Sequence, residues 1–146
     1  MASVSPIGRV LAIDLGKRHV GVAKSDSMRM ITQPHATLPR GKDDAALLEA
    51  LAQICVDEEV GEIVVGLPLH MDGREGEGAE DARKFAAALS ARTQLKVVLW
   101  DERLTTTSAH KHMTALGVKT KNKKGMVDQL AAEMILGAYL AAQAPR

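Results

Sequence analysis

With one cysteine in 146 residues, Cys55, the chain cannot form an intrachain disulfide, so a reducing compartment is its expected home. Aromatic residues are almost as scarce, at 2% of the sequence. A core must therefore be built from Ala, Val, Leu, Ile and Met, and a platform for stacking nucleic-acid bases is excluded. No apolar run approaches the ~20 residues of a membrane span. The opening MASVSPIG has neither a basic segment nor an apolar one of the kind that directs export. The expectation is a cytoplasmic protein. Charge of either sign is not in excess: the net charge is +1. That balance conceals a polarised chain, acidic over residues 43–62 and 72–81 and basic at Lys17–Arg18 and at Lys119, Lys121, Lys123 and Lys124.

What remains is 46% apolar, enough for a globular fold, and the length suits one domain over residues 1–146 with 1–7 as a tail. The stretch Leu11–Ala23, LAIDLGKRHVGVA, organises the rest. Val10, Leu11, Ala12 and Ile13 form a buried-strand pattern, Asp14 follows at once, Gly16 permits a turn and Gly21 reopens a strand. A carboxylate ending a buried strand needs a partner or a task. Asp14 reads equally as a turn residue and as a metal ligand.

Three early strands are predicted, at Arg9–Leu15, Val20–Lys24 and Met28–Thr37. Their short connections imply antiparallel pairing, and Pro34 and Pro39 confine the third to an edge. A helix is expected over Asp43–Glu59, capped by Asp43 or Asp44, with Leu47, Leu48, Leu51, Ile54 and Cys55 inward and Gly61 as its left-handed C-terminal residue. Cys55 on that face is a structural thiol. Glu62–Gly66 is a short buried strand. The segment His70–Gly78 is a glycine-rich loop whose spacing matches neither a P-loop nor a dinucleotide fingerprint. A helix over Glu77–Arg92 turns Ala79, Ala82, Phe85, Ala86 and Leu89 inward. Lys96–Trp100 is a further strand, followed by a helix from Thr105 or Thr106 to Leu116 and a lysine-rich loop. A last helix, Met126–Ala142, presents Val127, Leu130, Ala131, Met134, Ile135 and Ala138. The order β-β-β-α-β-α-β-α-α describes an α/β fold. It is a mixed five-stranded sheet of three antiparallel strands followed by parallel βαβ units, with helices on both faces. Right-handed crossovers set the fourth strand beside the first, making Arg9–Leu15 central.

Two strands thus end on carboxylates, Asp14 and Glu102, and the last helix opens with Asp128. Ligands sit beyond the C-terminal ends of strands in such sheets, and the last helix packed across that end would add Asp128. Three carboxylates within ~5 Å repel by roughly 3 kcal/mol per pair at an effective dielectric of 20, which protons or Mg²⁺ or Mn²⁺ would relieve. Two such ions can drive phosphodiester hydrolysis. Each residue also has an ordinary reading: Asp14 as a turn, Glu102 as a partner of Arg103, Asp128 as a favourable charge at a helix start.

The blocks LAIDLGKRHVGVAKSD, VVGLPLHMDGREG, DERLTTTSA and KGMVDQLAAEMIL resemble the YqgF family of RNase H-like proteins, described as Holliday junction resolvases or pre-16S rRNA nucleases. The blocks occur in the family's order from Gly8 to Leu140. The resemblance implies an RNase H-like fold, divalent-metal nuclease chemistry with Mg²⁺ or Mn²⁺ (two ions), and Asp14, Glu102 and Asp128 as the acidic triad. Asp101 is a secondary candidate, since only one of an adjacent pair readily faces a site. His19 departs from the family, which commonly has an apolar residue there. Lys17, Arg18, Arg74, Arg103, Lys119, Lys121, Lys123 and Lys124 are candidate contacts to nucleic-acid phosphates, the lysine loop reading equally as a solvated one. The expected partner is structured RNA or branched DNA, within a pre-ribosomal particle in the former case, for a monomer or homodimer. A non-catalytic RNA-binding assembly factor is the rival class.

Overall fold

The computed structural model describes residues 8–104 and 124–143. The segment 1–7, the predicted helix over 105–116 and the lysine-rich loop up to Lys123 lie outside the described residues.

Five strands form one sheet in the order β3-β2-β1-β4-β5: β1 Arg9–Leu15, β2 His19–Ser25, β3 Thr32–Pro39, β4 Val60–Leu67 and β5 Lys96–Asp101. β1 is central, antiparallel to β2 and parallel to β4, and β5 continues the parallel half. The third strand lies at the edge, as its two prolines require. Its register shifts between Val22 and Ala23 on β2, beside the point where Ala23 faces Pro34, which supplies no N–H to the ladder. The strand is also displaced along the sequence from its expected position. Asp26 accepts hydrogen bonds from the N–H groups of Met30 (2.7 Å) and Ile31 (2.9 Å), holding residues 26–31 in the turn.

Alternation along β1 and β4 divides the core in two. Leu11, Ile13, Ile63 and Val65 face α1 (Ala45–Asp57) and α2 (Glu77–Thr93), packing with Leu51, Phe85 and Leu89. Val10, Ala12 and Val64 face the opposite way, under α3 (Lys124–Gln143), with Ala132, Ile135, Leu136 and Tyr139. The inward set of α2 matches its sequence periodicity residue for residue. That of α3 does not: Leu130, Ala132, Ile135, Leu136 and Tyr139 are buried, whereas Ala131, Met134 and Ala138 are only partly covered. An Ala-rich helix carries too weak an apolar contrast to fix its own rotation. Here Tyr139 fixes it, by bonding the buried carboxylate of Glu62 and meeting Trp100 edge-on at 5.8 Å. Arg29 at 3.0 Å and Lys96 at 3.6 Å are further partners of Glu62.

Two expected helix ends also change. The left-handed residue after α1 is Glu59 (φ 53°) rather than Gly61, which lies within β4. Asp44 stands at the N-cap position but makes no capping bond, because its oxygens are taken by Arg40 at 2.9 and 3.1 Å. Asp43 instead accepts from the Ala45 N–H at 2.9 Å. Cys55 is buried, and burial pushes its thiol up to about 11, consistent with an inert packing role. Among the described residues no helix is long and apolar enough to cross a membrane.

Candidate active site

The C-terminal ends of the parallel strands β1, β4 and β5 meet at one edge of the sheet, and strand alternation decides what each presents there. Val10 and Ala12 face α3, so Asp14, next in the alternation, faces it too. On β5, Val98 and Trp100 pack on the α3 side while Val97 and Leu99 pack on the other. Glu102, in the 3₁₀ turn Glu102–Leu104 that follows β5, continues the α3-side set. Asp101 does not. Its carboxylate is spanned by Arg103, from the backbone N–H (2.9 Å), Nε (3.1 Å) and Nη2 (2.7 Å), and this partner holds it below the usual carboxylate range.

Two glycines make room for the acidic edge. Gly21 on β2 pairs with Asp14 across the ladder. A Cβ at Gly21 would lie 2.0 Å from the backbone oxygen of Asp128, so the first described turns of α3 rest directly on the β2 backbone. That seating brings Asp128 alongside Asp14. Hydrogen bonds from Gln129 Nε2 to Thr37 (3.2 Å) and from Thr32 Oγ1 to Glu133 (2.7 Å) tie the same helix to the edge strand. Gly66 on β4 does the equivalent for Glu102: a Cβ there would meet Glu102 Oε2 at 2.8 Å and the Ile135 methyl at 2.9 Å. The sequence pattern marks Gly21 only as reopening a strand and Gly66 only as the end of one. The available signal was a glycine inside a strand pattern, which marks a close approach of another chain segment.

The electrostatics follow from this crowding. Burial, then the neighbouring Asp128, pushes Asp14 up to about 6. Burial, then Asp14, then Asp101, pushes Glu102 up to about 7. Asp14 is thus coupled to a carboxylate on each side. The three share an edge with Asp14 in the middle and do not form a closed ring. Among the described residues, no three His, Cys, Asp or Glu side chains are gathered tightly enough to surround one ion.

The candidate basic residues are placed unequally. Lys17 and Arg18 are exposed on the β1–β2 turn directly after Asp14. His19 opens β2, exposed, two residues before Gly21 and in the same strand alternation. Arg74 is on the loop after β4, where Asp72 pairs with it at 2.6 Å. Arg103, besides binding Asp101, donates to the Met71 carbonyl at 3.3 Å, bracing that loop against the end of β5. Lys119, Lys121 and Lys123 lie outside the described residues. Lys124 begins α3, and its side chain is outside them as well. On the other face of the same edge is a groove of about 550 Å³, lined by Leu15, Lys17, Pro68, Glu77, Asp81 and Lys84 among others.

A family model described as "RuvX: Holliday junction resolvase" matches residues 8–142. The chain belongs to the RuvX family. Curated members agree over nearly their whole length. A protein of Lachnospira eligens is 44% identical over 135 residues, covering 90% of this chain and 96% of its own. One of Myxococcus xanthus is 40% identical over 137 residues, covering 94% and 90%. Both are described as "Putative pre-16S rRNA nuclease". Among solved structures, Thermus thermophilus RuvC in complex with a Holliday junction substrate superposes with a TM-score of 0.61 at 11% identity, covering 95% of this chain and 98% of that one. The fold of this RuvX member is therefore that of an RNase H-like resolvase, as the sequence blocks implied. Its family is one of nucleases by description, with a junction named for the family as a whole and an RNA for these two members.

Proposed function

We propose that this chain is a divalent-cation-dependent nuclease acting as a single domain, with Asp14, Glu102 and Asp128 as its ligand set and a ribosomal RNA precursor as substrate. The observation that carries the reading is the seating of α3 on Gly21, which lays Asp128 beside Asp14 at the end of the central strand. Nothing in ordinary packing calls for this concentration of half-buried negative charge. Burial and like charge both raise Asp14 and Glu102, and a bound cation reverses both effects. An all-oxygen donor set suits Mg²⁺ or Mn²⁺. Asp14, coupled to both neighbours, would be shared between two ions, with Glu102 serving one and Asp128 the other. Divalent ions held by these residues would supply activation of a water and stabilisation of charge on the leaving oxygen.

The protein's own contribution is positional. Strand alternation and two glycines hold the carboxylates on one face, and Lys17 and Arg18 stand next in the chain to receive the backbone of the substrate. The RNA assignment rests on the descriptions carried by relatives that share 40–44% identity over most of the chain. A four-way DNA junction is the second reading, favoured by the family description.

The test is cleavage by purified protein, with Mg²⁺ or Mn²⁺, of a 16S precursor carrying its 5′ extension and of a matched four-way junction. Metal-dependent cleavage of the precursor, lost in Asp14→Asn, is expected. Full activity of Asp14→Asn would refute the site. Tight RNA binding without cleavage in either metal would favour an assembly factor instead.

A further inference from the structure

Arg40 follows β3 and has no place in the chemistry described so far, yet it is the most fully bonded side chain of the described residues at this edge. Its side chain is 10% exposed. Nε and Nη2 reach the two oxygens of Asp44 at 2.9 and 3.1 Å. Nη1 and Nη2 reach the two oxygens of Asp81 at 2.8 and 2.9 Å, and Nη1 also donates to the Gly16 carbonyl at 3.0 Å. All five donors of the group are thereby used. The plane lies over Phe85, 5.8 Å from the ring centre. The backbone N–H of Arg40 donates to the Arg18 carbonyl at 2.8 Å.

One residue therefore holds the carbonyl just before Lys17 and the carbonyl just after Arg18, and ties both to α1 through Asp44 and to α2 through Asp81. The turn is tight in its own right: the Gly16 N–H donates to His19 at 3.1 Å, and a Cβ on Gly16 would lie 2.4 Å from that same oxygen. Its two cationic side chains nonetheless project into solvent. A backbone this firmly fixed beneath two exposed cations suits a rigid support for a polyanion.

We propose that Arg40 is a positioning residue for nucleic-acid binding, fixing the Gly16–Arg18 turn so that Lys17 and Arg18 meet the phosphate backbone in register with Asp14. The inference rests on the nucleic-acid reading above but not on cleavage. A turn fixed before binding has no ordering entropy left to lose. Arg40→Lys keeps the charge but cannot reproduce two bidentate pairs and a carbonyl contact at once.

The experiment is fluorescence anisotropy with a labelled RNA duplex and a four-way DNA junction, across a salt series, with thermal unfolding alongside. Arg40→Lys is expected to weaken binding about tenfold. It should also flatten the log–log salt dependence by about 1.8, the loss of two phosphate contacts. Placed in a Lys17→Ala/Arg18→Ala background, it should add no further loss. Asp81→Asn, which disturbs the clamp from its solvent side, should move affinity in the same direction by less. A lower melting temperature with unchanged affinity and salt slope would overturn the proposal. So would a full additional tenfold loss in the Lys17→Ala/Arg18→Ala background, or absence of binding by the wild type. Weakened binding by Arg40→Lys in a protein that cleaves neither substrate would refute the nuclease reading and leave this one standing.

Discussion

Replacing Asp14 with Asn should stabilise the protein in the absence of metal, although it removes the central residue of the proposed site. Asp14 is raised from 3.8 to about 6 by burial and by Asp128. The raised value means that the folded protein holds the carboxyl's proton more tightly than the unfolded chain does. The stability contributed by the neutral carboxyl is fully present below pH 3.8 and is lost as pH rises through 6. A shift of roughly 2 units corresponds to about 3 kcal/mol of destabilisation at pH 8. By the same linkage only about 0.5 kcal/mol of that cost is present at pH 4. An Asn, nearly the same size and always neutral, avoids it. In EDTA, urea unfolding should show Asp14→Asn more stable than wild type at pH 8 by up to about 3 kcal/mol, with the difference nearly closed at pH 4. For a domain of this size that is about 2–4 °C in melting temperature per kcal/mol. Saturating Mg²⁺ should then stabilise the wild type selectively and narrow or invert the gap. An Asn variant no more stable than wild type at pH 8, or one whose advantage is the same at pH 4, would refute the account of Asp14 as a half-buried, repelled carboxylate.

The other predictions concern the supports. Gly21→Ala places a Cβ 2.0 Å from the Asp128 backbone; it should lift the start of α3, cost about 1–3 kcal/mol in denaturant unfolding, and reduce cleavage beyond what the unfolded fraction explains. Glu102→Gln should abolish cleavage while Asp101→Asn, which only loosens Arg103, retains most of it; equal losses in the two variants would contradict the assignment from strand alternation. Tyr139→Phe removes a donor from the buried Glu62 and should destabilise by about 1–3 kcal/mol, measured by urea unfolding, because Arg29 and the largely exposed Lys96 are then left to offset the carboxylate's desolvation without it.

The sequence by itself determined the elements whose signal is local. β1, α2 and β5 are fixed by short apolar runs and by a clean helical stripe, and each is found within a residue or so of its expected bounds. It also determined the sheet order, since short early connections enforce hairpins and long later ones enforce parallel crossovers. Asp14 and Glu102 were legible because a charge at the end of a buried run is conspicuous, whereas Asp128 stood out only as a charge opening the last helix. The preference for Glu102 over Asp101 came from family resemblance, and only the tertiary structure gives it a geometric basis. Adjacent strand residues point to opposite faces, and the face is defined by where α3 packs. It decided the rotation of α3 as well, through Tyr139 and Glu62, which are 77 residues apart. Gly21 and Gly66 took their meaning from the atoms that fill the space a side chain would occupy. Arg40 took its own from three separate segments, the β1–β2 turn, α1 and α2, converging on one guanidinium. A sequence pattern records which groups are present and how they repeat. Close approach between distant segments is set by packing, and at this edge packing determines which groups are brought together.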